Sequence, residues 1–191
     1  MKLKNTYFIL RHGENTYLVE KPDFAYPKYD NRTIKLTKKG VDQIKTALEK
    51  IRKIGIGAIY SSDFFRTRQT AEIVANGLGL KINFDKRLRD VNLGVFFGRP
   101  KKELYAEFLN PLERFIRRPK NGENWNDLGK RMIDFLKDTD KKHRGKKILI
   151  VGHGDPFWLL EGSLRGLNRK ELLKKKFTKE DYIRVGELRK L

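Results

Sequence analysis

Short apolar runs alternate along the sequence with segments whose apolar residues recur at helical spacing. The run Tyr7–Leu10 precedes a segment that opens at Thr37 and carries apolar residues three or four positions apart. In a second unit, the apolar run at 58–60 leads into a helical segment that glycines end near Gly79. Alternating strands and helices are typical of a sheet with helices on both faces. The sequence therefore predicts an α/β protein, a three-layer α/β/α sandwich with a mostly parallel central sheet.

The later segments continue this pattern less regularly. Strands are expected at Lys81–Phe84 and, most clearly, at Lys147–Val151. Helical spacing predicts one helix over about 101–118 and another from Trp125 to Leu136. Two prolines and scattered aromatic residues between 19 and 35 indicate an irregular loop.

The length and the residue types limit the class of protein. With 191 residues, 38% of them hydrophobic, and no repeat or linker, the chain is expected to form a single domain over residues 1–191. It contains no cysteine, which excludes disulfides, thiolate catalysis and cysteine-ligated metal clusters. Its N-terminal apolar run is too short for a signal peptide, and no stretch approaches the roughly 18 apolar residues of a membrane span. We expect a cytoplasmic protein without a membrane partner.

The net charge is strongly positive. Forty-four Lys and Arg residues against 24 Asp and Glu give a formal charge of +20, which attracts phosphorylated metabolites, nucleic acids and acidic surfaces without choosing among them. The lysine-rich runs at 141–147 and 174–176 border apolar periodic segments and are interpreted as solvated turns or helix faces. No helix–turn–helix or aromatic single-strand pattern accompanies them, so nucleic acid is possible as a partner but not favoured.

Two strands end in the same way. "FILRHG", residues 8–13, and "ILIVGHG", residues 148–154, each run from apolar residues into a histidine followed by glycine. Because parallel strands have their carboxyl ends at one edge of a sheet, His12 and His153 are expected to lie together there. Arg11 precedes the first histidine, and Arg66 enters a helix on the same edge.

These residue types suit a phosphoryl group. The planar arginine fork matches phosphate oxygens, and helix entrances and strand-end glycines such as Gly154 supply backbone N–H groups. The sequence contains neither a P-loop nor a dinucleotide-binding glycine motif, so those phosphate sites are excluded. The pattern predicts a phosphoryl-binding pocket built from arginines and histidines.

The motifs, taken in chain order, resemble the histidine phosphatase superfamily, in its phosphoglycerate-mutase-like branch. The resemblance extends from residue 6 to about 165. Any one block is weak evidence, but all of them occur in the family's order. The matching blocks are Arg11–Glu14, Leu36-Thr37 with Gly40 and Gln43, Ser61–Glu72, Arg87–Asp90 with Gly94 and Gly98, Gly122–Asn124, and Val151–Gly154.

The resemblance implies a phosphoglycerate mutase-like fold and assigns chemical roles. His12 would attack phosphorus and form a phosphohistidine, as a partly neutral imidazole can. Arg11, Arg66 and His153 would stabilise the transferring group. Asp90 would be the general acid that protonates the leaving oxygen. No cofactor is implied, and the lack of a carboxylate cluster predicts metal-independent catalysis.

Three further residues are candidates for binding phosphate or substrate, namely Asn15, Glu123 and Gly154. Asn15 stands where the family commonly has Thr or Ser, and exposure in a turn is an equally good interpretation. Glu123 is expected either to reach the pocket or to serve only as a charge near a helix N-terminus.

The sequence also departs from the family pattern. Asp90 replaces the glutamate that is usual at the acid position, and Leu18 replaces an asparagine six residues after the nucleophile. The favoured function is a phosphomonoester hydrolase acting on a small phosphorylated metabolite. The alternative is a phosphoglycerate mutase, which needs a larger cover over its intermediate than this chain provides. A noncatalytic phosphate or nucleic-acid binder is less favoured, because binding alone needs no proton donor at Asp90.

Overall fold

A five-stranded sheet forms the centre of the computed structural model, which describes residues 2–28, 32–178 and 181–191. The strand order is β3-β2-β4-β1-β5. The first four strands run parallel, and β5 pairs antiparallel with β1 at the edge. The strands are β1 (Thr6–Arg11), β2 (Ala58–Ser61), β3 (Ile82–Phe84), β4 (Lys147–Gly152) and β5 (Leu188–Lys190).

Helices cover both faces of the sheet. Side chains of α2 and α3 form the core on one face, and those of α5, α6 and α7 form the core on the other. Among the described residues, no helix has both the length and the apolar character needed to cross a bilayer. The helices are α1 (Thr16–Glu20), α2 (Lys38–Arg52), α3 (Phe65–Leu78), α4 (Lys101–Glu107), α5 (Trp125–Lys142), α6 (Gly154–Leu164) and α7 (Arg169–Thr178).

The alternation of side chains along each strand supplies both cores. In β4, Ile148 and Ile150 belong to the core under α5 and α6, whereas Leu149 and Val151 belong to the core under α2 and α3. All four are fully buried, as a continuous apolar run in a covered parallel strand requires. The predicted α/β/α sandwich with a mostly parallel sheet is confirmed.

Strand register brings the carboxyl ends of β1, β2 and β4 to one edge. Arg11 pairs with Gly152, and Ser61 pairs with Val151. The N–H of His12 donates to the Gly152 carbonyl at 3.1 Å, which extends the pairing of β1 and β4 by one residue. The residues that follow each strand therefore gather beside one another.

The single helix predicted over 101–118 is wrong. Helix α4 ends at Glu107, and a 3-10 segment covers Pro111–Phe115. Asn110 begins that segment, its side chain accepting a hydrogen bond from the Leu112 N–H. Proline has no N–H to donate and clashes with the preceding turn, so it prevents the helix from continuing.

Two other regions differ from the sequence expectation. Helix α1, Thr16–Glu20, occupies the start of the loop expected at 19–35, and residues 29–31 of that loop lie outside the described residues. The antiparallel strand β5 and helix α7 were not anticipated from the sequence. Tertiary contacts fix both positions. Strand β5 pairs with β1 over only three residues, and α7 contributes Leu172 and Leu173 to the core that α6 also lines.

Gly40, in α2, packs against the backbone that follows His12. A Cβ there would lie 2.0 Å from the Glu14 carbonyl oxygen, which cannot move aside alone. We expect Gly40→Ala to lower the free energy of unfolding by about 1–3 kcal/mol through overpacking. The matched control is Gly129→Ala in α5, where a Cβ would meet nothing within 4 Å. It should raise stability by about 0.5–1 kcal/mol, because alanine favours a helix over glycine. Urea denaturation measures both, and equal effects of the two substitutions would contradict this packing.

Candidate active site

The two strand-end histidines lie side by side at the carboxyl edge of the sheet. The ring centroids of His12 and His153 are 5.4 Å apart, with the rings inclined at 62°. Both side chains are buried. His12 follows β1, and His153 is the residue that begins α6 after β4. The expected juxtaposition is confirmed, and the spacing allows one phosphate-sized ligand to contact both rings.

His12 is held as a neutral imidazole with one nitrogen available. Its Nδ1 lies 2.9 Å from the Gly13 carbonyl oxygen. Because a carbonyl only accepts, Nδ1 carries the proton and Nε2 keeps its lone pair. Burial, reinforced by the positive charges of Arg66 and Arg11, holds the pKa of His12 well below 6.5. The arrangement can present a nucleophilic nitrogen at neutral pH.

His153 is also held neutral, by different partners. Arg66 Nη2 lies 3.1 Å from its Nδ1, and the hydroxyl of Ser62 lies 3.0 Å from its Nε2. Since a guanidinium only donates, Nδ1 accepts and Nε2–H donates to Ser62. Burial and the charge of Arg66 hold the pKa of His153 well below 6.5. Ser62 belongs to the "SSDFFRTRQTA" segment, but the sequence did not indicate this contact.

Arg66 is buried between the two histidines and Asp90. Its side chain is 1% exposed, and its guanidinium carbon lies 4.0 Å from the centroid of the Tyr26 ring. Tyr26 is positioned in turn by Asn15, whose Nδ2 donates to the tyrosine hydroxyl at 2.9 Å. The stacked ring holds the plane of the guanidinium. Sequence reasoning missed Tyr26, because an aromatic residue in an irregular loop carries no spacing that indicates its contact.

Arg11 contributes a second guanidinium. Its Nη1 donates to the Ile183 carbonyl at 2.8 Å, and its guanidinium carbon lies 5.5 Å from the Tyr182 ring centroid. Its Nε is buried and has no hydrogen-bond partner in the part of the chain that the structure describes. A buried donor without an acceptor is costly, so this nitrogen favours the binding of an anionic acceptor.

Asp90 approaches Arg66 and His153 from the loop after β3. Its Oδ2 lies 3.4 Å from Arg66 Nη2 and 3.8 Å from His153 Nδ1, and its Oδ1 accepts from the Val91 N–H at 3.0 Å. Burial raises the pKa of this carboxyl above its usual range, although the charge of Arg66 opposes the rise. A raised pKa keeps more of the carboxyl protonated, which is the property that a general acid needs.

Of the other predicted binding residues, Gly154 lines the site and Asn15 is buried beside it. Gly154 lines the site, and a Cβ there would lie 2.2 Å from the Tyr182 hydroxyl, so no larger residue fits. Asn15 is buried rather than exposed in a turn. Its Oδ1 caps α1 by accepting from the Leu18 N–H. Its contact with phosphate stays a prediction.

Glu123 lies near the site but is engaged by the protein. Its two carboxylate oxygens lie 2.6 and 3.0 Å from Nη2 and Nε of Arg131. Its Oε1 also accepts from the Asn92 N–H at 2.8 Å. Its contact with substrate stays a prediction, whereas its contact with Arg131, which the sequence did not indicate, is present.

A chamber of about 470 Å³ opens beside His12 and Asp90. Leu109 and Tyr105 stand at its rim and are 88% and 59% exposed. We call it the apolar chamber because most of its wall is aromatic or aliphatic, including Phe24, Leu93, Leu104, Tyr105, Phe108 and Leu109.

A charged cluster lines the chamber near Arg11. Lys176 Nζ pairs with Asp155, whose Oδ1 also accepts from the Tyr182 hydroxyl at 2.6 Å. Burial would raise the pKa of Asp155, but the charges of Lys176 and Arg114 lower it below its usual range. The solvated position expected for Lys176 is therefore wrong, because this lysine balances a carboxylate that the fold buries.

Within residues 2–28, 32–178 and 181–191, no three His, Asp or Glu side chains come together as a metal ion would require. The positive charge that acts on His12 comes from Arg66 and Arg11.

Comparisons with known proteins agree on one family. A model of the histidine phosphatase superfamily (branch 1) matches residues 7–185. A Yersinia enterocolitica protein described as a probable phosphoglycerate mutase GpmB is 34% identical over 165 residues, covering 84% of this chain and 74% of that protein. Among solved structures, Bacillus stearothermophilus YhfR superposes with a TM-score of 0.81 and 25% identity, covering 96% and 89% of the two chains. A mycobacterial glucosyl-3-phosphoglycerate phosphatase has the same fold, with a TM-score of 0.77, 21% identity and coverage of 97% and 89%.

The protonation of His12 and His153 gives a measurable pH dependence. Since both pKa values lie below 6.5 in the folded protein, the unfolded chain binds protons first as the pH falls. We expect the free energy of unfolding to decrease below about pH 6.5, the ordinary histidine value. Carbon-detected NMR of the two rings should show no protonation step at or above this pH, whereas the urea-unfolded chain serves as control and should titrate there. A folded-state step at the ordinary pKa would contradict the neutral pair.

Proposed function

Because the chain belongs to the histidine phosphatase superfamily (branch 1), we propose that it is a phosphomonoester hydrolase that acts through a phosphohistidine intermediate. The observation that carries the proposal is the state of His12: a buried, neutral imidazole whose Nδ1–H faces the Gly13 carbonyl. Such a ring keeps its Nε2 lone pair for attack on phosphorus, and the charges of Arg66 and Arg11 act on it. Its partner would be a phosphorylated small molecule in the cytoplasm rather than a nucleic acid or a membrane.

In the first step, His12 Nε2 forms a bond to phosphorus while the bond from phosphorus to the ester oxygen breaks. Arg11 and Arg66 bind the phosphoryl oxygens, where charge stabilisation contributes most to phosphoryl transfer. Asp90, whose pKa burial raises, gives a proton to the leaving oxygen. His153 borders the same group and holds the Arg66 guanidinium in place, because its Nδ1 accepts from Arg66 Nη2.

In the second step, water attacks the phosphohistidine. Asp90, now a carboxylate, takes the proton from the attacking water, and the bond between phosphorus and Nε2 breaks. Inorganic phosphate leaves, and His12 regains its neutral state. Asp90 thus acts once as acid and once as base, for which its place beside Arg66 and His153 is suited.

The apolar chamber favours hydrolysis of a substrate with an apolar alcohol part. A mutase must hold a small, highly charged acid and return the phosphoryl group to it without loss to water. The chamber instead has mostly apolar walls and an open rim at Leu109. Burial of an apolar alcohol there would gain roughly 25 cal/mol per Å² removed from water. We therefore propose aryl or alkyl phosphates as the substrate class.

One observation supports the mutase as a second candidate. Arg114 lines the apolar chamber, with its guanidinium carbon 4.1 Å from the centroid of the Trp125 ring. A cation in this wall could bind the carboxylate of a phosphoglycerate. A noncatalytic binder is less favoured, because binding alone does not require a proton donor at Asp90.

The roles of His12 and Asp90 can be separated by the leaving group. His12→Ala should abolish turnover and labelling by a phosphate donor, while His143→Ala serves as the control because His143 bonds Tyr60, away from the site. Asp90→Asn should lower the rate about 10²–10⁴-fold on an alkyl phosphate but only slightly on nitrophenyl phosphate, whose leaving group hardly needs a proton. Rapid-quench kinetics measures both. Equal losses on the two substrates would exclude Asp90 as the general acid. Labelling of the His12→Ala protein would exclude His12 as the nucleophile.

Substrate preference distinguishes the hydrolase from the mutase. In EDTA, since the proposed reaction needs no metal, we expect kcat/KM for phosphate release from naphthyl phosphate to exceed that from 3-phosphoglycerate by about tenfold, or about 1.4 kcal/mol. Leu109→Ser should reduce this preference. Ile116→Ser is the matched control, because Ile116 is also exposed but lines a different groove. Isomerisation of 3-phosphoglycerate faster than phosphate release would instead identify a mutase, and activity lost in EDTA but restored by metal would contradict metal independence.

A further inference from the structure

Arg131, on α5, is bound to the loop that carries Asp90. Its Nη1 donates to the carbonyls of Arg87 and Arg89, the latter at 2.8 Å. Its Nη2 donates to the carbonyl of Asp90 itself at 3.0 Å. One side chain thus bonds three main-chain oxygens within four consecutive residues.

Glu123 completes the arrangement from the other side. It takes the remaining two N–H groups of Arg131, at 2.6 Å from Nη2 and 3.0 Å from Nε. Its Oε1 accepts from the Asn92 N–H, and its own N–H donates to the Asn92 carbonyl at 2.9 Å. All five N–H donors of the guanidinium are therefore used inside the protein. We call Arg131 and Glu123 the loop clamp.

The loop has little regular structure of its own. A 3-10 turn covers Lys86–Leu88, and residues 89–93 belong to no helix or strand. Helix α5, by contrast, is well anchored: Asn124 and Asp127 form a capping box, and Leu128 and Met132 are fully buried. The loop clamp therefore connects the Asp90 loop, which has little regular structure, to helix α5, which is firmly packed.

The connection between the Asp90 loop and α5 matters because Asp90 stands at the position of the general acid. Aspartate is one methylene shorter than the glutamate usual in the family, so Asp90 depends more on where its backbone lies. Its Oδ2 lies 3.4 Å from Arg66 Nη2, and a displacement of about 1 Å can cost on the order of 10²-fold in rate when a catalytic group is moved.

We propose that Arg131 is a positioning residue, which together with Glu123 holds the Asp90 carboxyl where it can transfer a proton to the leaving oxygen. The inference rests on the proposed hydrolase function, in which Asp90 is the acid. Arg131 itself does not contact the phosphoryl group, since its donors are already engaged. We therefore expect its effect on the rate to pass through Asp90.

The first test compares leaving groups. Arg131→Ala should lower kcat on an alkyl phosphate by about 10²-fold, within the range expected for loss of general acid catalysis. On nitrophenyl phosphate it should lower kcat no more than about threefold, because that leaving group hardly needs a proton. Arg118→Ala is the matched control: Arg118 also pairs through two hydrogen bonds, with Asp127 of α5, but it is not bonded to the Asp90 loop. It should leave both rates unchanged. Equal losses on both substrates for Arg131→Ala would overturn the proposal.

The second test repeats Arg131→Ala in an Asp90→Asn background. If Arg131 acts through Asp90, the second substitution should cause no further loss on the alkyl phosphate. Additive losses would overturn the positioning role. If Asp90→Asn alone lowers the rates on the alkyl and nitrophenyl phosphates equally, Asp90 is not the general acid, and the proposed function fails. This outcome differs from additive losses, so the two failures can be told apart.

A milder variant covers the case in which Arg131→Ala does not fold. Glu123→Gln removes the charge opposite Arg131 but leaves the three main-chain hydrogen bonds of the arginine. It should show the same contrast between leaving groups with a smaller loss on the alkyl phosphate. The absence of any contrast in a folded Glu123→Gln protein, together with unchanged rates, would count against the clamp.

Discussion

The burial of the Arg66 guanidinium at the sheet edge governs the chemistry of the site. Burial, reinforced by the charge of this 1% exposed guanidinium, lowers the pKa of both histidines. Two imidazoles can therefore lie 5.4 Å apart without repelling each other as charged rings. The buried guanidinium also needs neighbours that accept hydrogen bonds from its N–H groups or compensate its charge. These neighbours are His153 Nδ1, the carboxyl oxygen Oδ2 of Asp90 and the face of the Tyr26 ring.

This charge arrangement depends on the sheet. Register between β1 and β4 places His12 against Gly152, and the parallel direction of β2 brings Ser62 to the same edge. Apart from Asp90, the residues that carry the proposed reaction therefore follow three strands whose positions are set by buried apolar side chains. The less regular parts of the fold, including the loop of Asp90 and the wall of the apolar chamber, are attached to this edge rather than forming it.

In the proposed reaction, the sheet edge and the less regular segments have different roles. The groups that would bind the phosphoryl oxygens lie at the carboxyl edge of the sheet, where buried strands fix their positions. Groups that would meet the alcohol part lie on segments such as the α4 region, where Asn110 and Pro111 interrupt the helix. In the hydrolase proposed here, the nature of the substrate can thus change with the chamber wall while His12 and its partners stay in place.

The sequence by itself determined the four parallel strands of the sheet, the matched strand ends at His12 and His153, and the presence of Arg11 and Arg66 beside them, because apolar periodicity and strand-end residues are local patterns. It indicated neither the stacking of Tyr26 on Arg66 nor the pairing of Asp155 with Lys176. The hydrogen bonds of Arg131 join residues more than 40 positions apart, and nothing in the spacing of either segment specifies the other. Only the tertiary structure decided these contacts, since a buried charge takes the partner that folding brings to it.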